Sequence, residues 1–445
     1  MPRPSSYASL AARFAAGDAA PSSELAARLA RLDAIEPTIH AFVHLRREAA
    51  LAAAAASDRR WRSGQPLSPI DGMPIGIKDI IETEDMPTGQ GSPLWAGTET
   101  RRDSASVQAL REAGAIILGK TVTTEYAASE PLMPVRNPHD PSRTAGGSSA
   151  GSAAAVGAGI LPAALGSQVV GSALRPASYC GCVGYKPSYG ALNRGGSFDH
   201  LTQSCVGVLA ATPDDAWAVA IVIAERVGGD PGCLPLEGPP TIPPATAPRR
   251  LAFLETAGWP KASEGARAAM TRACKRLAEL GVAVVSRRDN PTIESFETTI
   301  AEASPLTFAI GDWEWRWPLG SYAKREGLSE PLRGRLASGM AMTADGYRRA
   351  LRRREEIRDE YAQVSAGFDG FVLLGATGAA PVGLGWTGDP TINVPASLLG
   401  TPAISLPLLS DEGMPLGLQL MGRKDEDAAL MAIAGWVWQH YAPDP

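Results

Sequence analysis

The chain has 445 residues, with 42 Lys and Arg against 47 Asp and Glu and a formal net charge of −5 at pH 7. Its length allows a large buried core, and its 44% hydrophobic and 20% charged residues are typical of a globular protein. The mild acidity argues against a nucleic-acid surface, which needs basic patches, and no apolar run of about 18 residues predicts a membrane span.

The five cysteines indicate a reducing compartment. An odd number without regular spacing does not fit a disulfide framework, and Cys180 and Cys182 are too close for a C-x-x-C pair. The N-terminus has no apolar run of the signal-peptide kind. We therefore expect a cytoplasmic protein that holds no metal.

The first part of the chain is predicted to place helices before short buried strands. Residues 7–60 have leucines at helical spacing, and Pro37 is predicted to close that segment. Residues 73–81 are predicted to form a strand that enters a site. A helix at 104–112 and a strand at 115–118 follow.

Between residues 143 and 196, Gly, Ser and Ala dominate and charges are rare. Glycine permits close approach of backbones, so such a segment can thread a core. Residues 163–166 are predicted to form a strand, followed by a tight turn and a short helix that opens at 173–177.

The second half alternates predicted strands and helices, which indicates the α/β class. A Pro- and Gly-rich connector precedes them, and a Gly- and Pro-rich loop interrupts them; a long loop of this kind tends to be functional. The predicted elements are strands at 251–255, 282–285 and 371–374, helices at 263–280 and across 298–365, the loop 375–402, two strands within 403–421 and a helix from Glu426. We expect one domain over 1–445, made of a helical region 1–65, a catalytic core 66–227, the connector 228–249 and an α/β part 250–445 with substrate-pocket loops.

The segment Gly147–Gly151 matches G-x-S-x-G with Ser149 in its centre. An α/β hydrolase would also need a later acid and histidine, and neither His200 nor His440 is well placed for that role. A phosphate cradle would need a following G-K-[ST], which is missing, and a flexible Gly/Ser loop is the third interpretation. The histidines are His40, His44, His139, His200 and His440, and none has metal-ligand spacing.

Ser172 and Lys78 are the other candidates for chemistry. Ser172 stands at the predicted strand–turn–helix junction, where free backbone N–H groups can stabilise an oxyanion. The alternative is a helix N-cap. Lys78 follows an apolar run, and a buried lysine has a lowered pKa and can act as a base toward serine. The alternative is an exposed lysine.

Taken together, these segments resemble the amidase signature family. The resemblance extends from about residue 20 to the C-terminal helix, and it is greatest to the malonamidase branch, which has Gln at the position of Gln168 and Arg three residues after the nucleophile. It implies a mixed central β-sheet sandwiched between layers of helices, no metal or organic cofactor, and an enzyme of a kind that is often a homodimer. The matching blocks are 76–79 (GIKD), 146–152 (GGSSAGS), Ser172, 175–177 (RPA), 180–181 (CG), 184–190 (GYKPSYG) and 413–419 (GMPLGLQ).

The resemblance also implies a role for each site residue. Ser172 would be the nucleophile, Ser148 would follow a cis peptide bond and relay the proton, and Lys78 would be the base. The implied reaction is hydrolysis of a small or aryl carboxamide, through an acyl-enzyme, to a carboxylate and ammonia or an amine. The oxyanion hole would be the backbone N–H groups of Val169, Val170, Gly171 and Ser172.

The resemblance to the malonamidase branch implies that Arg175, whose guanidinium suits a carboxylate, binds the substrate together with Gln168. A structural ion pair is the alternative for Arg175. Three tryptophans are spaced by two residues, and they either line an aromatic pocket or pack in a core. They are Trp313, Trp315 and Trp317.

Val169 and Val170 depart from the family, which usually has Thr and Gly there. Val169 removes a hydroxyl, and Val170 would be strained if the turn needs positive φ. A weakened, non-catalytic homologue is therefore one alternative function, although Lys78, Ser148 and Ser172 are all present. Another is the amidase-type subunit of an amidotransferase that is composed of several subunits, against which the acidic charge counts modestly.

Overall fold

A mixed β-sheet forms the centre of the molecule in the computed structural model, which describes residues 6–130, 134–199, 201–325 and 328–441. The strands are β1 (Phe42–Leu45), β2 (Pro74–Lys78), β3 (Ile116–Thr121), β4 (Ala163–Gln168), β5 (Val183–Lys186), β6 (Cys205–Ala210), β7 (Arg250–Phe253), β8 (Ala283–Val285), β9 (Gly370–Leu374), β10 (Ala403–Asp411) and β11 (Met414–Met421). They form an 11-stranded sheet in the order β1-β3-β2-β4-β6-β5-β10-β11-β9-β7-β8.

Helices cover both faces of this sheet. They are α1 (Ala8–Ala16), α2 (Pro21–Ile39), α3 (Arg47–Arg62), α4 (Ala105–Glu112), α5 (Ala150–Gly157), α6 (Leu174–Cys180), α7 (Pro213–Val227), α8 (Glu264–Glu279), α9 (Pro291–Ile300), α10 (Ala303–Glu314), α11 (Arg316–Tyr322), α12 (Glu330–Ala341), α13 (Ala344–Ser365), α14 (Val394–Leu399) and α15 (Asp427–His440). Successive residues of a strand point to opposite faces. Accordingly, Leu165 of β4 packs in a core with α4 and α7, whereas Ala164 packs in a second core with α2, α3 and α5. The α/β class and the helix-sandwiched mixed sheet are thus confirmed.

The strands at the centre of the sheet bring the Gly/Ser-rich segment to Lys78. β2 pairs in parallel with β3 and β4, with Ile77 opposite Leu165, so the carboxyl ends of these strands meet at one edge. α5 lies directly against this edge because Gly151 has no side chain. A Cβ there would stand 2.2 Å from the carbonyl oxygen of Ala41 and 2.4 Å from the amide nitrogen of Val122.

Two element predictions were wrong in detail. α2 continues past Pro37 to Ile39, and its end is held by the Glu36 carboxylate, which accepts the N–H groups of Ala41 and Phe42 at 3.0 and 2.9 Å. β1 follows within the stretch 7–60, which the leucine spacing predicts to be helical. α14 lies inside the predicted loop 375–402; it has six residues, too few for a periodic pattern to reveal.

Among the described residues, no helix is both long enough and apolar enough to cross a membrane. The same residues contain no group of three or more His, Cys, Asp or Glu side chains arranged to hold a metal ion.

Candidate active site

Lys78 lies at the end of β2 and is completely buried. Its Nζ is 2.6 Å from Ser148 Oγ, 2.9 Å from Ser167 Oγ and 3.1 Å from Ser149 Oγ. These partners are neutral hydroxyls, so burial lowers the pKa of Lys78 to about 7, an effect that the charge of Asp199 opposes. A large fraction of Lys78 is therefore a neutral amine near pH 7, with a lone pair that can accept a proton from Ser148.

Ser148 and Ser172 open onto the same cavity. Ser148 follows Gly147 through a cis peptide bond, and both serines are buried except for about 5% of their surface. The backbone N–H of Ser149 donates to the carbonyl oxygen of Ser172 at 3.1 Å, which ties the two serine segments together. The structure thus places Ser148 in contact with Lys78 and on the same cavity as Ser172.

The turn between β4 and α6 is held by Gln168. Its Oε1 accepts the N–H groups of Ala173 and Leu174, both at 3.0 Å, and its Nε2 donates to Ser397 at 3.3 Å. The side-chain amide of Gln168 therefore stabilises the turn, and Gln168 does not line the cavity. This differs from its predicted role in substrate binding.

The backbone N–H groups of this turn indicate which chemistry the turn can assist. Within the described residues, the N–H groups of Val170, Gly171 and Ser172 donate to no backbone or side-chain acceptor. Free donors next to a serine can stabilise an oxyanion. Val169 and Val170 both have negative φ, so the anticipated strain of a β-branched residue in this turn does not arise.

The cavity has a volume of about 200 Å³ and is lined by Ser148, Ser172, Val169, Val170 and Arg175, among others. Pockets for drug-sized ligands are about 300–1,000 Å³. The site therefore suits a small substrate.

Arg175 is a buried cation that faces this cavity, with 3% of its surface exposed. Its Nη2 donates to Gly147 O at 2.8 Å and to Thr387 Oγ1 at 3.2 Å, whereas Nε and Nη1 have no acceptor among the described residues. Burial lowers the pKa of Arg175 from its ordinary value, but arginine stays charged in proteins. Glu130, which lines the same cavity, and Asp389 act on Arg175 electrostatically, but Nε and Nη1 stay available as donors among the described residues.

The three tryptophans separate into different environments. Trp315 lines the cavity, and its buried indole N–H has no partner among the described residues. Trp313 stacks on Tyr347 with ring centroids 5.1 Å apart, and Trp317 is 79% exposed. Of the predicted aromatic pocket, the structure brings only Trp315 to the cavity.

Two of the described histidines make hydrogen bonds to backbone carbonyls and not to the serine cluster. His139 Nε2 is 2.9 Å from Cys180 O, and His440 Nδ1 is 2.8 Å from Trp436 O, while His200 lies outside the described residues. Ser149, the centre of the G-x-S-x-G match, contacts Lys78 and not a histidine. The arrangement therefore favours lysine-assisted chemistry over an α/β-hydrolase triad.

Some residues of the site were not predicted. Ser167 contacts Lys78, Thr387 contacts Arg175, and Asp199 lines the cavity. The sequence offers one signal for Thr387, which is the unusually long predicted loop 375–402. It offers one for Asp199, which is an acidic residue that follows a segment poor in charged residues.

The pKa of Lys78 leads to a prediction about pH. We expect kcat/KM to rise with pH and to level off above about pH 7, because only the neutral amine accepts a proton. Because the pKa of Lys78 is about 7 in the folded chain and 10.5 ordinarily, the unfolded chain binds more protons between these two values, and the free energy of unfolding rises with pH across that window. A profile of kcat/KM from about pH 5 to 9 measures the effect, and a rate that stays constant across that range would contradict it.

Comparison with known proteins adds a family relationship. The family model described as Amidase matches residues 24–431. The A subunit of the glutamyl-tRNA(Gln) amidotransferase of Chloroflexus aurantiacus is 34% identical over 461 residues, which cover 95% of this chain and 93% of that protein.

Solved structures show the same fold over nearly the whole chain. A crystal structure of an amidase superposes with a TM-score of 0.83 at 30% identity and covers 98% of this chain and 100% of that one. A protein described as part of a vestigial complex that reveals the evolutionary origins of an s-triazine catabolic enzyme has a TM-score of 0.84 at 26% identity, with 99% and 100% coverage.

Proposed function

This chain belongs to the amidase family and is an amide-hydrolysing enzyme, and we propose that it cleaves a small carboxamide through an acyl-enzyme on Ser172. The observation that carries the proposal is the contact of 2.6 Å between Lys78 Nζ and Ser148 Oγ, on a cavity that Ser148 shares with Ser172. A buried amine, a relaying hydroxyl and a second serine are the parts that proton transfer to a lysine base requires.

The proposed reaction begins when Ser172 Oγ attacks the amide carbonyl and passes its proton to Ser148, which passes its own to Lys78. The free N–H groups of the turn, which extend from Val170 to Ser172, stabilise the oxyanion together with the predicted donor Val169. Lys78 then returns the proton through Ser148 to the leaving nitrogen, and ammonia or an amine departs. Water attacks the acyl-enzyme by the same relay and releases the carboxylate, so no cofactor takes part.

Arg175 supports a substrate that carries a carboxylate besides the scissile amide. The guanidinium keeps Nε and Nη1 without acceptors among the described residues, and these are donors that a carboxylate can accept. An aryl amide without a charge would leave these two buried donors without acceptors, which is costly. We therefore favour a small carboxylate-bearing amide over a neutral aliphatic or aryl amide.

Ammonia release from a panel of amides tests this preference. We expect the purified chain to turn over malonamate-like acids in preference to simple aliphatic and aryl amides. Arg175→Lys is expected to raise KM for the acids by about tenfold or more, because lysine cannot form the planar bidentate pair. Neutral amides are the internal control, since the substitution should change their turnover little. A wild-type preference for neutral amides would contradict the role of Arg175.

An amidase-type subunit of a larger assembly is the second candidate function. The observation that favours it is the 34% identity to an amidotransferase component over 95% of this chain. Adding glutamine to the panel and purifying the chain with its native partners separates the two candidates. Turnover of glutamine that requires a co-purifying protein would support the subunit, whereas turnover of small acids by the chain alone supports an independent enzyme, as a monomer or the expected homodimer.

A further inference from the structure

The cavity contains a second buried charge, the carboxylate of Asp199. Only 4% of Asp199 is exposed, and it lines the same cavity as Ser172 and Arg175. Its Oδ1 is buried without a hydrogen-bond partner among the described residues. A buried carboxylate oxygen without a donor is costly, so this acceptor calls for a partner that enters with the substrate.

The cations near Asp199 are engaged elsewhere. Arg194 Nε donates to Asp230 at 2.6 Å, and the hydrogen bonds of Lys78 are made to serine hydroxyls. Arg175 is held by Gly147 and Thr387. Asp199 Oδ1 is thus an acceptor that the described part of the protein leaves free.

Asp199 and Arg175 line the cavity from different segments of the chain, since Arg175 belongs to α6 and Asp199 lies between β5 and β6. Thr202, three positions after Asp199 in the sequence, donates its N–H to Glu314 of α10 at 2.9 Å. Arg175 instead donates to Gly147 and to the loop that carries Thr387. A substrate in the cavity therefore meets the guanidinium of Arg175, near which Glu130 accepts the N–H of Thr387 at 3.0 Å, and the free carboxylate oxygen of Asp199.

The cavity also contains other polar side-chain atoms without hydrogen-bond partners among the described residues. Thr307 Oγ1 and Trp315 Nε1 line the cavity and are buried without partners among the described residues. A purely apolar acyl chain would leave these groups unsatisfied, whereas a substrate with a polar nitrogen there satisfies Asp199.

We propose that Asp199 accepts a hydrogen bond from a second nitrogen of the substrate, so that the preferred substrate is a small amide with both a carboxylate and an additional N–H group. The carboxylate pairs with Arg175, and the N–H group, an ammonium or a ureido nitrogen, pairs with Asp199. This substrate class rests on the proposed amide hydrolysis at Ser172 and specifies it further.

Three acids of nearly equal size test the proposal. Succinamate has a carboxylate and an amide only; L-asparagine adds an ammonium; N-carbamoylglycine replaces one methylene by N–H. We expect wild-type kcat/KM for asparagine or for N-carbamoylglycine to exceed that for succinamate by about tenfold or more, because succinamate leaves a buried carboxylate unpaired. The compound that is preferred shows whether the nitrogen is charged.

Substitution of Asp199 should remove this discrimination. In Asp199→Asn and Asp199→Ala the preferred compound is expected to fall to within a few-fold of succinamate, while succinamate turnover falls less. Asp389→Asn is the matched control. Asp389 acts electrostatically on Arg175 but lies outside the cavity lining and pairs with Lys261 at 2.9 Å, so the ratio of substrates should stay as in the wild type.

Two outcomes of the Asp199 substitutions would overturn the proposal. An equal loss for all three acids would mean that Asp199 contacts the scissile amide itself. A shift of the pH profile with an unchanged substrate ratio would mean that Asp199 acts only on Lys78. Calorimetric affinities in Ser172→Ala separate this inference from the proposed function: preferential binding of the nitrogen-bearing acids without any wild-type turnover refutes hydrolysis alone, and equal turnover of all three acids refutes the role of Asp199 alone.

Discussion

Ser172→Ala is expected to lower the rate of amide hydrolysis by about 10⁴-fold or more, because the acyl-enzyme can no longer form. The structure gives no reason for the variant to misfold, since the methyl group fits the buried position and the backbone bond from Ser149 to Ser172 is kept. Ammonia release under saturating substrate measures the loss.

Ser152→Ala is the matched control for that loss. Ser152 belongs to the same Gly/Ser-rich segment and is also buried, but its Oγ is hydrogen-bonded to Thr121 Oγ1 and donates to Leu165 O. We expect kcat near the wild-type value, with a loss of stability of about 1 kcal/mol. Retention of wild-type activity by Ser172→Ala, together with its loss in Ser149→Ala, would instead assign the nucleophile to the centre of the G-x-S-x-G match.

Lys78→Met is expected to reduce kcat by about 10³-fold or more and to abolish the rise of activity with pH, because the base in contact with Ser148 is removed. Methionine is close to lysine in length and avoids the cost of a buried amine, so the variant should stay folded. Rates at several pH values and thermal unfolding together measure both effects.

Lys120→Met provides the contrast, because Lys120 is a second completely buried lysine, on the neighbouring strand β3. Its Nζ is 3.3 Å from Asp79 Oδ1 and donates to Ile81 O at 2.8 Å. Its removal leaves a buried carboxylate unpaired, and we expect a loss of about 3–5 kcal/mol in stability. A variant at Lys78 that keeps its activity, or one at Lys120 that keeps full stability, would contradict this division of roles.

The sequence predicts those site residues that can be placed from the pattern of their own strand or helix. Lys78 ends a short apolar strand, and Ser172 follows another before a helix, so each can be placed from the pattern of its own segment. That these segments meet depends on the parallel pairing of β2 and β4, for which the family resemblance was the available guide.

Long-range contacts account for what the sequence does not predict. The contact of Arg175 with Thr387 joins residues 212 positions apart, and no local pattern indicates it. Gln168 has the residue type of a substrate ligand, yet its amide is used to hold α6. Trp313 and Trp317 share the spacing of Trp315 but point away from the cavity, because a spacing of two places helical side chains on different faces.

Trapping the acyl group on the protein tests the proposed role of Ser172 most directly. Wild-type enzyme would be quenched with acid during turnover of its best amide, digested, and analysed by mass spectrometry, with fragmentation to distinguish Ser172 from Ser148, Ser149, Ser152 and Ser167. We expect the mass of the acyl group on Ser172, and its disappearance in Ser172→Ala. Ammonia release with the acyl group on another serine, or with the same rate in Ser172→Ala, would contradict the mechanism.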